Sequence, residues 1–488
     1  MTEHLDVLII GAGISGIAAG RYLQTRCPSK RYAILEGRAA LGGTWDLFRY
    51  PGIRSDSDMF TLGYSFRPWT GEKAIADGPA ILDYLRQTAH AFGIDRRIRF
   101  QHRVRSASWS SQESRWSIEV EVGPDKRPTR YTCGFLFLCS GYYDYDAGHA
   151  PPFPGSEDFQ GLLIHPQHWP GDLDYRGKRI VVVGSGATAI TLVPALARTA
   201  AHVTMLQRSP TYFRTARNAI PLAEELRALG IDEAWIHEII RRKILHEQVA
   251  FTRRTFSEPE KVKEELLGVV REHLGDVVDI EKDFTPRYRP WRQRLPFIPD
   301  ADLFHAIRSG KVSVATGEIE CFTREGVRLK SGEALRADVI ITATGFNLSV
   351  LGDIDFVIDD APLDFAGTVT YRGMMFTGVP NMAWVFGYLR ASWTLRVDLV
   401  AGFVCRLLEH MRAKGLRRVV PALRAEDEGM ALGPWIDPEN FNPGYVMRSQ
   451  HLLPKRGDKP MWQHTQDYWT EKDVFPGIDL EGEGLRYA

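Results

Sequence analysis

The sequence predicts an α/β protein built from two doubly wound, Rossmann-like dinucleotide-binding domains, with a helical insertion in the second. Three observations predict it. An apolar strand, a glycine-rich turn and a helical pattern follow one another twice, at DVLIIGAGISGIAAGRYLQ and at RIVVVGSGATAITLVPAL. Strand-like and helix-like stretches alternate through both halves, the pattern of a parallel sheet covered by helices. Between Pro221 and Asp283 the texture changes to apolar residues at helical spacing with charged faces between them, the mark of amphipathic helices.

The first turn carries Gly11, Gly13 and Gly16, and Glu36 closes the next strand, YAILE, about twenty residues after Gly16. The first glycine permits the tight turn, the second lets the backbone approach a pyrophosphate, and the third lets helix pack on strand. The acid takes a ribose hydroxyl. The second turn, Gly184-Ser185-Gly186-Ala187-Thr188-Ala189, has alanine in the third glycine's place, and its following strand ends in Gln207-Arg208-Ser209 rather than in an acid. An arginine there suits a 2′-phosphate, so this half is expected to hold NADP(H) in preference to NAD(H). Two nucleotide sites in one chain imply two cofactors whose reactive rings meet, and one of them is then a flavin. The strands within FLFLCSGYY and ADVIITATGF each end in a small-residue turn, where the chain is expected to cross between domains.

The expected organisation is a first domain from residues 1–146 and 349–488, a second from 147–220 and 284–348, and the insertion at 221–283. A linker at 159–170, FQGLLIHPQHWP, is too polar for a core strand and too broken by proline for a helix. The 61 basic and 61 acidic residues cancel, and no run of one sign marks a nucleic-acid or membrane footprint, so the expected partners are small molecules. MTEHLDVLII has neither the basic start nor the cleavage site of a signal peptide, and the expected location is cytoplasmic. Five cysteines without CxxC spacing argue against a disulfide framework, a zinc site and a dithiol redox centre. His165 and His168 have HxxH spacing but no evident third ligand, so no metal is expected.

Two longer motifs carry a resemblance. Gly42-Gly43-x-Trp45, followed by Tyr50-Pro51-Gly52 and Asp56, resembles the long signature of type I Baeyer–Villiger monooxygenases. Phe159-x-Gly161-x-x-x-His165-x-x-x-Trp169-Pro170 is similar to their FxGxxxHxxxW fingerprint and lies between the two nucleotide turns, as it does in that family. The segments SGYYDYD, GSGATA, LQRSP and ASWTL most resemble the branch containing the ethionamide-activating monooxygenases, and the likeness covers essentially the whole chain.

The resemblance implies FAD in the first domain, NADPH in the second and molecular oxygen as co-substrate. The implied reaction inserts one oxygen atom into a ketone, through a flavin peroxide, to give an ester or lactone. Sulfide oxidation is implied beside it, and oxidation of nitrogen or sulfur nucleophiles alone is the rival activity. The resemblance gives His165 a conformational role. Arg294 is implied as the cation that stabilises negative charge, with Asp56 holding it and touching the nicotinamide side of the site; Arg292 stands close by in sequence. Thr44, Trp45, Asp46 and Leu47 are implied along the flavin, Ser15 at the pyrophosphate and Val104 at the adenine, with Arg54 among the cofactor contacts. A helix beginning at Ser392 to Thr394 is expected to point at the flavin ring. The chain departs from the family at Gln293, where many relatives carry lysine, and at Arg390, where the branch has a small polar residue.

Overall fold

The structure is a computed structural model that describes residues 2–482 and 484–488. Strand β1 (Glu3–Ile10), helix α1 (Ile14–Arg26) and strand β2 (Tyr32–Leu35) form the first strand–turn–helix–strand unit. β1 pairs in parallel with β2 on one side and with the end of β3 (Arg127–Leu138) on the other. Its apolar run has no alternation because both faces are covered: Val7 and Ile9 enter one core layer, Leu8 and Ile10 another.

The chain leaves this sheet through β4 (Tyr143–Gly148) and builds a second one from β5 (Leu162–Ile164), β6 (Arg179–Val183), helix α2 (Ala187–Leu196), β7 (His202–Gln207), β8 (Val312–Thr316) and β9 (Val339–Thr342). Among the described residues the strand order is β8-β7-β6-β9-β5, all parallel. Between β7 and β8 lie the helices Pro221–Ala228, Glu233–Ser257, Pro259–Leu274 and Ile280–Phe284. The long Glu233–Ser257 helix reaches across to the first domain. Its Ile236 and Ile240 pack on Phe60, and the Arg241 guanidinium donates to the Phe60 carbonyl at 2.9 Å.

The return crossing is β10 (Phe346–Leu348), which pairs antiparallel with β4, so the two crossovers form one small ribbon between the domains. Strand β11 (Met382–Trp384) then rejoins the first sheet beside β3, and helix α3 (Trp393–Lys414) packs on α1 through Val397, Val400, Ala401 and Val404. The last part of the sequence therefore completes the first domain.

The proline-broken segment 159–170 has a structural task at this ribbon. Leu162–Ile164 is the edge strand of the second sheet, and the residues after it grip the crossovers. The Gln167 amide donates to the Asp144 carbonyl at 2.9 Å, and His168 Nε2 lies 3.1 Å from the Asp146 carbonyl. His165 Nε2 lies 3.2 Å from the Gly345 carbonyl, and its Nδ1 accepts from the Gln167 amide N–H. These two partners fix a neutral imidazole that donates from Nε2. Gly148 passes so close that a Cβ there would lie 1.9 Å from the His165 ring. Among the described residues no helix is long and apolar enough to cross a membrane.

Candidate active site

The first glycine turn is shaped by close backbone approach. Gly11 has φ +98°, and a Cβ there would lie 2.6 Å from the Cys139 carbonyl oxygen. A Cβ at Gly16 would lie 1.8 Å from the Gly11 carbonyl oxygen, so α1 can sit on the strand end only with glycine at that position. No side chain caps the start of α1 at Gly13, which leaves the first-turn amides open to a bound anion. Glu36 is buried at the end of β2, where one carboxylate oxygen accepts from the Ala12 N–H at 2.8 Å and the other from the Arg38 N–H at 2.9 Å. Burial pushes its pKa up while those two bonds and Arg38 pull it down. The carboxylate thus ties the turn to β2 and keeps free lone pairs for a ribose hydroxyl.

From this turn a cavity runs toward the second domain. It encloses about 350 Å³, within the ~300–1,000 Å³ of an ordinary small-molecule site, and is partly open to solvent. Gly11, Gly13, Ser15, Glu36, Thr44, Trp45, Asp56, Val104 and Arg294 line it. The bare backbone of Gly13 facing Gly43 and the buried, unpartnered Ser140 hydroxyl in the same wall suit a dinucleotide passing between them.

Three residues expected at the cofactor, Asp46, Leu47 and Arg54, do not line this cavity. In the short helix Thr44–Leu47 the first two residues line the cavity and the last two do not. Asp46 is buried among arginines, 2.5 Å from Arg38 and 2.7 Å from Arg49, and Leu47 packs against the core of the second domain. Arg54 forks onto Asp302, at 2.5 and 3.2 Å, which links the first domain to the helix Asp302–Arg308 of the second.

Arg294 enters the cavity from the second domain. Its Nη1 donates to Asp56 at 3.1 Å, its Nη2 to the Tyr142 hydroxyl at 3.2 Å and its Nε to the Tyr445 hydroxyl at 3.4 Å. Burial opposes the charge, but Tyr445, Tyr142, Asp56 and Tyr143 more than offset it, so the guanidinium stays cationic. Arg292 turns outward to Glu439 at 3.1 Å and does not line the cavity. The arrangement is a fixed positive charge in a partly enclosed space, held in orientation by three groups on the other domain, where negative charge developing on a ligand would be stabilised.

The second glycine turn repeats the geometry of the first. Gly184 has φ +133°, and a Cβ there would lie 2.4 Å from the Ala343 carbonyl oxygen; Ala189 is fully buried against the sheet. Ser185, Gly186, Ala187 and Thr188 form the turn and the opening of α2, and the Ser185 hydroxyl pairs with Thr211 at 3.0 Å. At the end of β7, Gln207 points inward. Its amide donates to the Asp283 carbonyl at 2.6 Å and to Thr316 at 2.9 Å, which makes its side chain a strut of the fold. Arg208 and Ser209 are exposed beside it; Arg208 is near enough to Glu318 to help hold that carboxyl below its usual range, but among the described residues it forms no ion pair within 4 Å, which suits a phosphate ligand. Among the described residues no group of three His, Cys, Asp or Glu side chains converges to hold a metal.

Sequence reasoning did not assign Tyr142, Tyr143 and Trp393 a role. Trp393, the first residue of α3, lines the cavity, donates to the Ser15 hydroxyl at 2.8 Å, and stacks on Tyr142 with ring centroids 5.2 Å apart. The signal was the doubled tyrosine of SGYYDYD, which carried family likeness but no spacing that announces a site.

Comparison with known proteins places this geometry. Residues 75–221 match the flavin-binding monooxygenase-like family and residues 9–85 the NAD(P)-binding Rossmann-like domain. The chain is 51% identical over 489 residues to the FAD-containing monooxygenase EthA of Mycobacterium tuberculosis, covering all of this chain and 98% of that one. Its fold is similar to the crystal structure of OTEMO in complex with FAD and NADP, with a TM-score of 0.77 at 22% identity over the full length of both chains. It is similar also to oxidized steroid monooxygenase bound to NADP, with a TM-score of 0.78 at 21% identity over 99% of each.

Proposed function

Since the chain belongs to the EthA-type FAD-containing monooxygenases, we propose that it consumes NADPH and O2 to insert one oxygen atom into ketones, giving esters or lactones, and that it also oxidises sulfides. The observation that carries this reading is Arg294, a cation fixed inside the cavity by Asp56, Tyr142 and Tyr445. A ketone gathers negative charge on its oxygen when a nucleophilic oxygen adds to its carbon, and a preorganised cation is the group that lowers the cost of that step. Oxidation of a sulfide or amine alone does not call for such a charge.

The residues that would hold FAD are Gly11, Gly13, Ser15 and Gly16 at the pyrophosphate, Glu36 at the ribose, Val104 near the adenine, and Thr44 and Trp45 along the ring system. Bound there, the flavin would supply the oxygen chemistry. NADPH would lie on the second turn, with Arg208 and Ser209 at its 2′-phosphate. Asp56 orients Arg294 and keeps its half-buried charge paired. The tyrosines and Trp393 exclude water from the inner wall, and His165 holds the ribbon on which the two domains would move.

The test is NADPH and oxygen consumption with product identification across a linear, a cyclic and an aryl ketone and one sulfide. Ester from at least one ketone supports the reading. Turnover of the sulfide with no ester from any ketone would replace it with oxidation of soft nucleophiles alone.

A further inference from the structure

We infer that Tyr143 is a hydrogen-bond donor to the substrate's carbonyl oxygen, set up by Tyr142 as its relay to Arg294; the inference rests on the ketone reading above and deepens it. The argument is a proton count. The hydroxyls of Tyr142 and Tyr143 are 2.6 Å apart and share one hydrogen bond. Two phenols carry two protons, so one O–H is left over, and among the described residues neither hydroxyl has any other acceptor within hydrogen-bonding distance. The Tyr142 oxygen already accepts from Arg294 Nη2 at 3.2 Å. A phenol that accepts from a cation becomes a better donor, so the Tyr142 proton goes to Tyr143 and the Tyr143 proton is the free one.

Exposure agrees with that order. Tyr142 is buried, whereas Tyr143 is half-buried, and both line the cavity that holds Arg294. Consecutive residues of a strand point to opposite faces, but Tyr142 lies at a bend just before β4, outside the strand, and its ring sits beside that of Tyr143 with centroids 4.1 Å apart. The rings cannot swing away. Tyr142 stacks on Trp393, and Tyr143 lies against Phe346 at 4.6 Å. Burial also pushes both phenols above their ordinary range, so each keeps its proton at working pH. No bond is broken in this role: the O–H stays intact, polarises the carbonyl, and shortens its hydrogen bond as charge builds on the oxygen, while Arg294 supplies the charge.

The test has a binding arm and a turnover arm, on the flavin-containing protein. Without NADPH, carbonyl-labelled 2-octanone is added and its C=O stretch read by infrared difference spectroscopy. In the wild type the bound ketone should absorb at lower frequency than in apolar solvent. Tyr143→Phe should lose that shift and Tyr142→Phe should keep most of it. With NADPH, ester formed per NADPH should fall at least about tenfold in Tyr143→Phe, while sulfoxide from thioanisole changes less than about twofold, because a sulfide presents no carbonyl. Bound-flavin absorbance equal to wild type shows that the variant is folded. A wild-type shift in the double variant Tyr142→Phe/Tyr143→Phe would overturn the inference, and loss of the shift in Tyr142→Phe alone would reverse the assignment between the two. A wild type that makes no ester from any ketone fails the reading beneath it, an outcome distinct from both.

Discussion

At the scale of single residues, the two glycine turns differ in what their neighbours offer a nucleotide. Glu36 closes one as a buried carboxylate, and Arg208 closes the other as an exposed cation. Replacing Arg208 with alanine is expected to raise the KM for NADPH by roughly tenfold or more and to leave that for NADH nearly unchanged, since a charge-assisted contact is worth about 1.5–3 kcal/mol. Equal effects on both coenzymes, measured side by side, would remove the 2′-phosphate role. Gly16→Ala is expected to yield protein with little bound flavin, because its Cβ would collide with the Gly11 carbonyl oxygen; a normal flavin content would contradict the close approach. Much at this scale is legible in the sequence, because a glycine that must pass a carbonyl leaves a spacing that can be read. What is not legible is which way a side chain turns. Gln207 and Arg208 are adjacent on paper, yet one is a buried strut and the other a surface cation. Asp46 shares its short helix with Trp45 but is drawn to Arg38 and Arg49. Tyr142 and Tyr143 share a face because Tyr142 lies at a bend outside β4, where strand alternation does not hold.

At the scale of elements, the segment after β5 is a clasp on the crossover ribbon, and His165 is its pin. His165→Ala is expected to slow turnover while bound flavin stays unchanged, since the clasp touches neither glycine turn. Loss of flavin in proportion to the loss of rate would refute a conformational role. Buried histidines, His165 among them, also make the protein sensitive to acid. Burial lowers the pKa of His165, that of His464 well below the ordinary range, and that of His237 to about 4, the last with Arg241 adding to the effect. All three are neutral in the fold. As pH falls below about 6.5 the unfolded chain takes up protons that the fold refuses, so their stability contribution is full above that value and is lost toward pH 4. His237→Gln should therefore show a shallower fall of Tm between pH 6.5 and 4 than the wild type; parallel curves would contradict the assignment. The strands and helices were readable from periodicity, down to the amphipathic texture of the insertion. The pairing of β4 with β10 was not, because these short crossovers lie over two hundred residues apart at their far ends and carry no pattern of their own.

At the scale of the whole molecule, the cavity belongs to neither domain alone. Arg294 comes from one and its partners Asp56, Tyr142 and Tyr445 from the other, while Arg54 and Asp302 bridge the same divide. Breaking that bridge with Arg54→Ala is expected to misplace the cation as well as loosen the domains, so ester yield per NADPH should fall even though Arg54 does not line the cavity. An unchanged yield would confine the bridge to stability. The central claim is that Arg294 stabilises the charge that develops when oxygen adds to a carbonyl. Ester and hydrogen peroxide formed per NADPH, measured for the wild type, Arg294→Ala, Asp56→Ala and the double variant, test it most directly. The expected result is a fall in ester of roughly 10²-fold or more in Arg294→Ala, about 3 kcal/mol, with peroxide rising to take the electrons and with the double variant clearly less than additive. A normal ester yield in Arg294→Ala would contradict the account.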